Sequence, residues 1–225
     1  MMFVPRSRRI GCSRPAATAP FSPLPETSPR MSKLRLQILT ASTRPERKGA
    51  AIAQWFADQA RAHDVGFEIE PVDLAEVNLP VFDEPRHPRL RQYEHAHTKR
   101  WSGIVDRADA FVFVTPEYNH SPPSSLVNAL DFLVQEWAYK PVGFVSYGGV
   151  SAGPRSTEIV KMLVTSLKMM PMFEAVNLPF FAKQLDEKTG RFDPGEVQVK
   201  AAQVMLDELA RWAKVMVQLR TPRVG

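Results

Sequence analysis

Cysteine is nearly missing from this sequence: Cys12 is the only one in 225 residues. A single thiol excludes an intrachain disulfide framework and any cysteine-rich zinc site. Long apolar runs are missing too, and nothing approaches the roughly 20 residues of a membrane-spanning helix. Glycine is sparse, with 11 residues, and is never arranged as G-x-G-x-x-G or G-x-x-x-x-G-K-[ST]. That argues against a dinucleotide-type Rossmann fingerprint and against a Walker loop. What remains is ordinary for a globular chain: 44% apolar and 24% charged residues, enough for a sizeable core without metal or disulfide staples.

The formal net charge is +5, but it is unevenly placed. Residues 1–30 hold Arg6, Arg8, Arg9, Arg14 and Arg30 against Glu26 alone. The rest of the chain is therefore nearly neutral, which disfavours a nucleic-acid footprint on the folded part. The first thirty residues are rich in proline, serine and arginine and have no amphipathic period, so they cannot bury enough apolar area to offset ordering entropy. They read as a disordered arm or a mis-assigned start before Met31, with an organellar targeting segment as the other reading. Cys12 lies in this tail, which argues against a catalytic thiol. Residues 31–225 are expected to form one domain, and a cytoplasmic location is expected.

From Lys33 onward the pattern alternates between strand and helix. Leu34, Leu36, Ile38 and Leu39 read as a first strand, and Ile52, Trp55, Phe56 and Ala60 mark the apolar face of a helix. Phe67, Ile69 and Val72 suggest a second strand, placed at a sheet edge by Pro71. Residues 74–93 read as an irregular connection, followed by a helix over 94–107. Phe111 to Val114 is apolar on both faces, as a central parallel strand is. A helix carrying Leu126, Ala129, Leu130 and Leu133 follows, with Trp137 near its end. Val142 to Val145 reads as a fourth strand. A helix with Ile159, Met162, Leu163, Leu167 and Met170, a strand over 173–176 and a last helix from Ala201 to Met216 complete the chain. Such alternation predicts an α/β fold, a parallel sheet with helices on both faces; the doubly wound five-stranded order adopted for it is 2-1-3-4-5, one of the common ones.

Ligands of such sheets sit outside the carboxyl ends of the strands, at the switch point. The most polar loops, 41–50, 115–123 and 146–154, follow the first, third and fourth strands. Those strands are neighbours in the expected order, so the loops should line one crevice. The first loop holds Ser42, Arg44, Arg47, Lys48, Gly49 and Ala50 before a helix N-terminus. Hydroxyl, cations and helix dipole together suit a phosphate, although Glu46 opposes one and a solvated basic turn has the same composition. The second, with Pro116, Glu117, Tyr118 and Asn119, can align backbone polar groups along a flat heterocycle, or simply cap the next helix. The third, with Ser146, Gly148 and Gly149, allows close backbone approach to a ring.

These three loops, with Asn128-Ala129-Leu130-Asp131 after the second, resemble the NADPH-dependent FMN reductase family, which includes flavodoxin-like quinone, azo-dye and chromate reductases. The resemblance spans about 33–180. It implies a flavodoxin-like domain that binds FMN and takes hydride from NADPH or NADH. Ser42, Arg44 and the backbone of Arg47, Lys48, Gly49 and Ala50 would hold the FMN phosphate. Pro116, Glu117, Tyr118 and Asn119 would run along the isoalloxazine, and Ser146, Gly148 and Gly149 would touch its other edge. Ala41 stands where the family commonly has glycine.

The implied reaction is ping-pong transfer from NAD(P)H to FMN and then to a small quinone-like, azo or other acceptor. It needs no catalytic side chain, because the cofactor carries the chemistry. The other readings are a flavodoxin-like electron carrier, disfavoured by the neutral domain, and an FMN-binding regulatory protein. A homodimer or homotetramer is implied, and an apolar stripe near Trp137 could serve it or pack on the sheet. His95 and His97, two apart on a helix, should face different sides, which disfavours a metal site. His120 and Tyr118 could shape the substrate pocket, and Arg155 could meet a nucleotide phosphate.

Overall fold

The computed structural model describes residues 33–220. The N-terminal tail and Cys12 lie outside the described residues. Five strands, β1 (Leu34–Thr40), β2 (Phe67–Asp73), β3 (Ala110–Pro116), β4 (Pro141–Tyr147) and β5 (Met170–Leu178), form one sheet. Every pairing is parallel and the order is β2-β1-β3-β4-β5, as the sequence predicts. β3 and β4 are buried along their whole length, which is why their sequences are apolar on both faces. β2, holding Pro71, is an edge strand paired only with β1.

Among the described residues six helices connect and cover the strands: α1 (Gly49–His63), α2 (Leu74–Val77), α3 (Ala96–Asp106), α4 (Ser124–Asp131), α5 (Pro154–Ser166) and α6 (Glu196–Arg220). α1 and α6 bury Ile52, Phe56, Met205 and Leu209 against one face, over Ile38, Val112 and Val145. α3, α4 and α5 cover the other, where Trp101, Leu126 and Val160 pack over Leu39, Phe113 and Phe144. Gly143 lets α6 close on β4, because a Cβ there would lie 2.7 Å from the Met205 sulfur.

Several expectations need correcting. The 74–93 connection is not wholly irregular, since it holds α2 and a short 3-10 turn at Pro88–Leu90. α4 ends at Asp131, so Leu133 and Trp137 lie beyond it in a tight turn segment. Trp137 is fully buried against Trp101, Phe111 and Phe113, so it packs on the sheet and offers nothing to a partner. α5 buries Ser156, Thr157, Val160 and Val164. Met162 is 69% exposed and Met170 begins β5. Small residues on that face let the helix lie close to the sheet, which the pattern of large apolar residues hides. β5 is longer than the expected 173–176, and its Phe173 points outward, 91% exposed. His95 is the residue before α3 and not part of it. Its extended backbone brings its ring onto His97, stacked with centroids 5.1 Å apart and planes nearly parallel. Among the described residues no cluster of histidine, cysteine and carboxylates suits a metal.

Candidate functional site

The register fixes where the three polar loops emerge. Thr40 of β1 pairs with Val114 of β3, and Pro116 of β3 pairs with Tyr147 of β4. The loops after β1, β3 and β4 therefore leave side by side. They enclose a crevice of about 430 Å³, within the usual range for small-molecule sites.

The first loop supplies Ser42, Arg44, Arg47 and Lys48 to this crevice. Ser42 is fully buried and its hydroxyl shares a 2.7 Å hydrogen bond with the Tyr118 hydroxyl. The Arg44 guanidinium lies 5.7 Å from the centre of the Tyr118 ring. Arg47 pairs with Asp73 at the end of β2, yet its Nε–H is buried without a partner. A buried donor left unpaired is costly, so this N–H is a place where an anion would be stabilised. α1 starts with no acidic residue in its first turn and no side-chain cap, which leaves its N-terminal N–H groups open to an acceptor. Ala41 is not among the residues with positive φ. Its N–H simply continues the sheet by donating to the Val114 carbonyl, 3.0 Å away, so alanine costs nothing where the family commonly has glycine. Glu46 does line the crevice, with φ 55°, beside three cations.

The second loop is a two-residue hairpin. Tyr118 and Ser121 exchange backbone hydrogen bonds of 2.9 and 3.0 Å, and Asn119 and His120 sit between them at φ 51° and 66°. Two consecutive positive φ values mark a type I′ turn, which accepts asparagine readily and a histidine with some strain. The turn fixes Pro116, Glu117 and Tyr118 along the crevice. Glu117, almost buried, is paired with Arg155 and also accepts from the Arg155 backbone N–H at 3.1 Å, capping α5. Arg155 is thus held by Glu117 and by Ser151 at 2.8 Å.

In the third loop Gly148 and Gly149 line the crevice with Tyr147. Gly153 has φ 88°, and a Cβ there would lie 3.0 Å from the Tyr147 carbonyl, so the chain turns back on itself only with glycine. Burial, and then the nearby Tyr118, push the Tyr147 phenol well above its ordinary pKa, so it stays protonated.

Nine of the thirteen expected site residues meet in this crevice. Gly49, Ala50, Asn119 and Ser146 do not line it. Gly49 opens α1 beneath the Tyr147 hydroxyl, which a Cβ would approach to 2.6 Å. Ala50 is exposed, and Asn119 is spent on the hairpin. Ser146 is fully buried, donating to the Ala152 carbonyl and sharing a bond with Asn177, both at 2.8 Å. Tyr147 and Phe181 were missed. Their rings meet edge to face at 5.0 Å and close one wall, but a tyrosine ending an apolar strand and a phenylalanine in a short 3-10 turn carry no sequence signal. A larger groove of about 810 Å³ adjoins the first and second loops through Thr43 and Ser121, and runs along α4 past Asn128 and Asp131. Burial raises the Asp131 carboxyl above its ordinary pKa.

A family model described as NADPH-dependent FMN reductase matches residues 34–183. The chain is similar to an NAD(P)H-dependent FMN reductase of Nectria sp, 34% identical over 154 residues that cover 66% of this chain and 76% of the relative. A protein of the same description from Schizosaccharomyces pombe is 38% identical, covering 64% and 74%. A quinone reductase of Pseudomonas putida is 32% identical, covering 66% and 83%. A solved flavoenzyme NAD(P)H:(acceptor) oxidoreductase from Paracoccus denitrificans superposes with a TM-score of 0.65 at 19% identity, over 81% of this chain and 98% of that one. That last likeness establishes the shared flavodoxin-like fold.

Proposed function

The chain belongs to the NADPH-dependent FMN reductase family, and from that premise we propose that it is an FMN-dependent NAD(P)H oxidoreductase acting on quinone-like, azo or related small acceptors. The supporting observation is the convergence of three loops, far apart in sequence, on one crevice that pairs an anion cradle with aromatic and backbone polar walls.

The residues fit the cofactor. Ser42, Arg44 and the unpartnered Nε–H of Arg47, with the open start of α1, would take the phosphate; the buried N–H is left unsatisfied until an acceptor arrives. Pro116 to Tyr118 and Gly148 to Gly149 would border the ring. FMN, when bound, supplies the hydride chemistry, accepting from the nicotinamide and passing reducing equivalents to the acceptor. The protein's part is to position and to tune. Tyr147 stays neutral, and Glu117 is neutralised by Arg155, so neither adds a free negative charge beside the ring. The groove past Thr43 and Ser121 is open to both substrates in turn. Ping-pong kinetics follow if nicotinamide and acceptor share that approach. A homodimer or homotetramer and a cytoplasmic location complete the reading.

Steady-state rates with NADPH and menadione test it. Parallel lines in double-reciprocal plots at several menadione concentrations are expected. Intersecting lines would refute the shared approach, and no turnover at all would favour the carrier or regulatory reading.

A further inference from the structure

At the opposite end of the sheet lies a second cavity that the reductase reading does not use. It has a volume of about 600 Å³ and lies below the start of β4. Since β4 runs from Pro141 to Tyr147, this cavity and the crevice are about 20 Å apart at the usual strand rise. Five cationic side chains line it, Arg89, Arg91, Lys140, Lys168 and Arg220, against the single carboxylate of Asp106. They come from four separate stretches of chain, Arg89 and Arg91 sharing the 3-10 turn.

The local carboxylates do not balance these charges. Arg91 is held by Asp106 and Glu136, each at 3.2 Å, and Arg220 by Asp109 at 2.7 Å. Among the described residues Arg89, Lys140 and Lys168 form no salt bridge with a carboxylate, while Asp106, Asp109 and Glu136 favour the Lys140 cation from further away. Lys140 is only 2% exposed. It donates to the carbonyls of Val105 and Asp106 at 2.8 and 2.9 Å, which uses two of its three protons. Burial, and then the neighbouring Arg220 cation, lower its pKa to about 8. Cations at helix ends do complement the α3 carbonyls. That account covers Lys140 and Arg220 but leaves Arg89 and Lys168 unexplained.

The backbone adds a second observation. Arg91, Tyr139 and Lys168 all line this cavity and all have positive φ, at 51°, 59° and 61°. Arg91 ends the 3-10 turn, and Lys168 follows α5. These are positions where glycine is the easy choice. A bulky residue there is strained, and such strain clusters at ligand clamps. Here two of the three strained positions carry cations that face one space. Tyr139, whose ring lies 5.7 Å from the Lys168 ammonium, gives that space a flat apolar wall.

We propose that this cavity is a binding site for a small phosphate-bearing anion, distinct from the cofactor crevice. Arg89 and Lys168 would grip the phosphate from the rim, and the remaining Lys140 proton would meet it from below. Arginine and lysine together suit a multiply charged phosphate, and the cavity is large enough for an attached ring.

The test uses the full chain saturated with FMN, so that the crevice is filled, and inorganic tripolyphosphate as the probe, followed by titration calorimetry. Saturable binding is expected. The double variant Arg89→Ser with Lys168→Gly should weaken it about tenfold or more. Glycine tolerates the φ of Lys168 without strain, so this variant should fold at least as well as the parent, and unchanged FMN affinity checks that it does. A charge-matched control, Lys188→Ser with Arg191→Ser in a distant surface turn, should bind tripolyphosphate as the parent does. No saturable binding, or equal weakening in both variants, would overturn the proposal. So would capture of an oligoglutamate peptide in place of tripolyphosphate, which would make the cavity an acidic-peptide dock.

Discussion

The hydroxyls of Ser42 and Tyr118, 76 positions apart in sequence, share a hydrogen bond of 2.7 Å. It ties the loop after β1 to the loop after β3 across the crevice. Tyr118→Phe keeps the ring, and with it the contact to Arg44, but removes the tie. A hydrogen bond of this kind contributes about 1 kcal/mol, so FMN affinity should fall about fivefold. Fluorescence titration of FMN measures this directly; unchanged affinity would show that the tie does not organise the site.

Gly49 and Tyr147 set a steric limit. Glycine to alanine stabilises a helix interior by about 1 kcal/mol, and at Gly49, which opens α1, a smaller gain would be the ordinary expectation. Here the new Cβ would lie 2.6 Å from the Tyr147 hydroxyl, so Gly49→Ala should instead destabilise by about 1–3 kcal/mol. Adding Tyr147→Phe removes the clashing oxygen and should recover most of the loss. Urea unfolding of the two single variants and the double variant gives the coupling, and additive effects would contradict the stated contact.

Glu117 and Arg155 are unequal partners, with side-chain exposures of 7% and 44%. Removing the more exposed cation strands a nearly buried carboxylate, whereas Glu117→Gln keeps a neutral acceptor for the α5 cap. Arg155→Met should therefore destabilise more than Glu117→Gln, which should cost about 1 kcal/mol. Chemical denaturation at neutral pH ranks the two, and the reverse order would contradict this reading.

Lys140 makes stability depend on pH. Its folded pKa of about 8 lies below the ordinary 10.5, so between these values the unfolded chain binds more protons. Stability then rises with pH through that window. Relative to Lys140→Met, the parent should gain roughly 1–2 kcal/mol from pH 8 to about pH 9.5. Equal pH dependence of the two proteins would mean that Lys140 is not held as the structure shows.

The strands are legible in the sequence because each rests on a local signal, and the crevice follows once they are placed in the order β2-β1-β3-β4-β5. Phe111 to Val114 reads as a central strand because it is apolar on both faces, and the polar loops cluster once the order is set. The buried face of α5 is hard to read from sequence because Ser156 and Thr157 are buried through close approach and not through apolar size. A serine at the end of a strand gives no sign of where its hydroxyl bonds, and that of Ser146 meets Ala152 and Asn177. The basic cavity left no trace in the sequence: Arg89, Lys140, Lys168 and Arg220 follow no period and meet only when the strands align.

The most direct test of the reductase reading is the visible absorbance of the purified chain loaded with FMN, before and after anaerobic NADPH. A bound flavin band that bleaches much faster than free FMN is the expected result. A chain that does not retain FMN, or one whose flavin band persists with both NADPH and NADH, would contradict it.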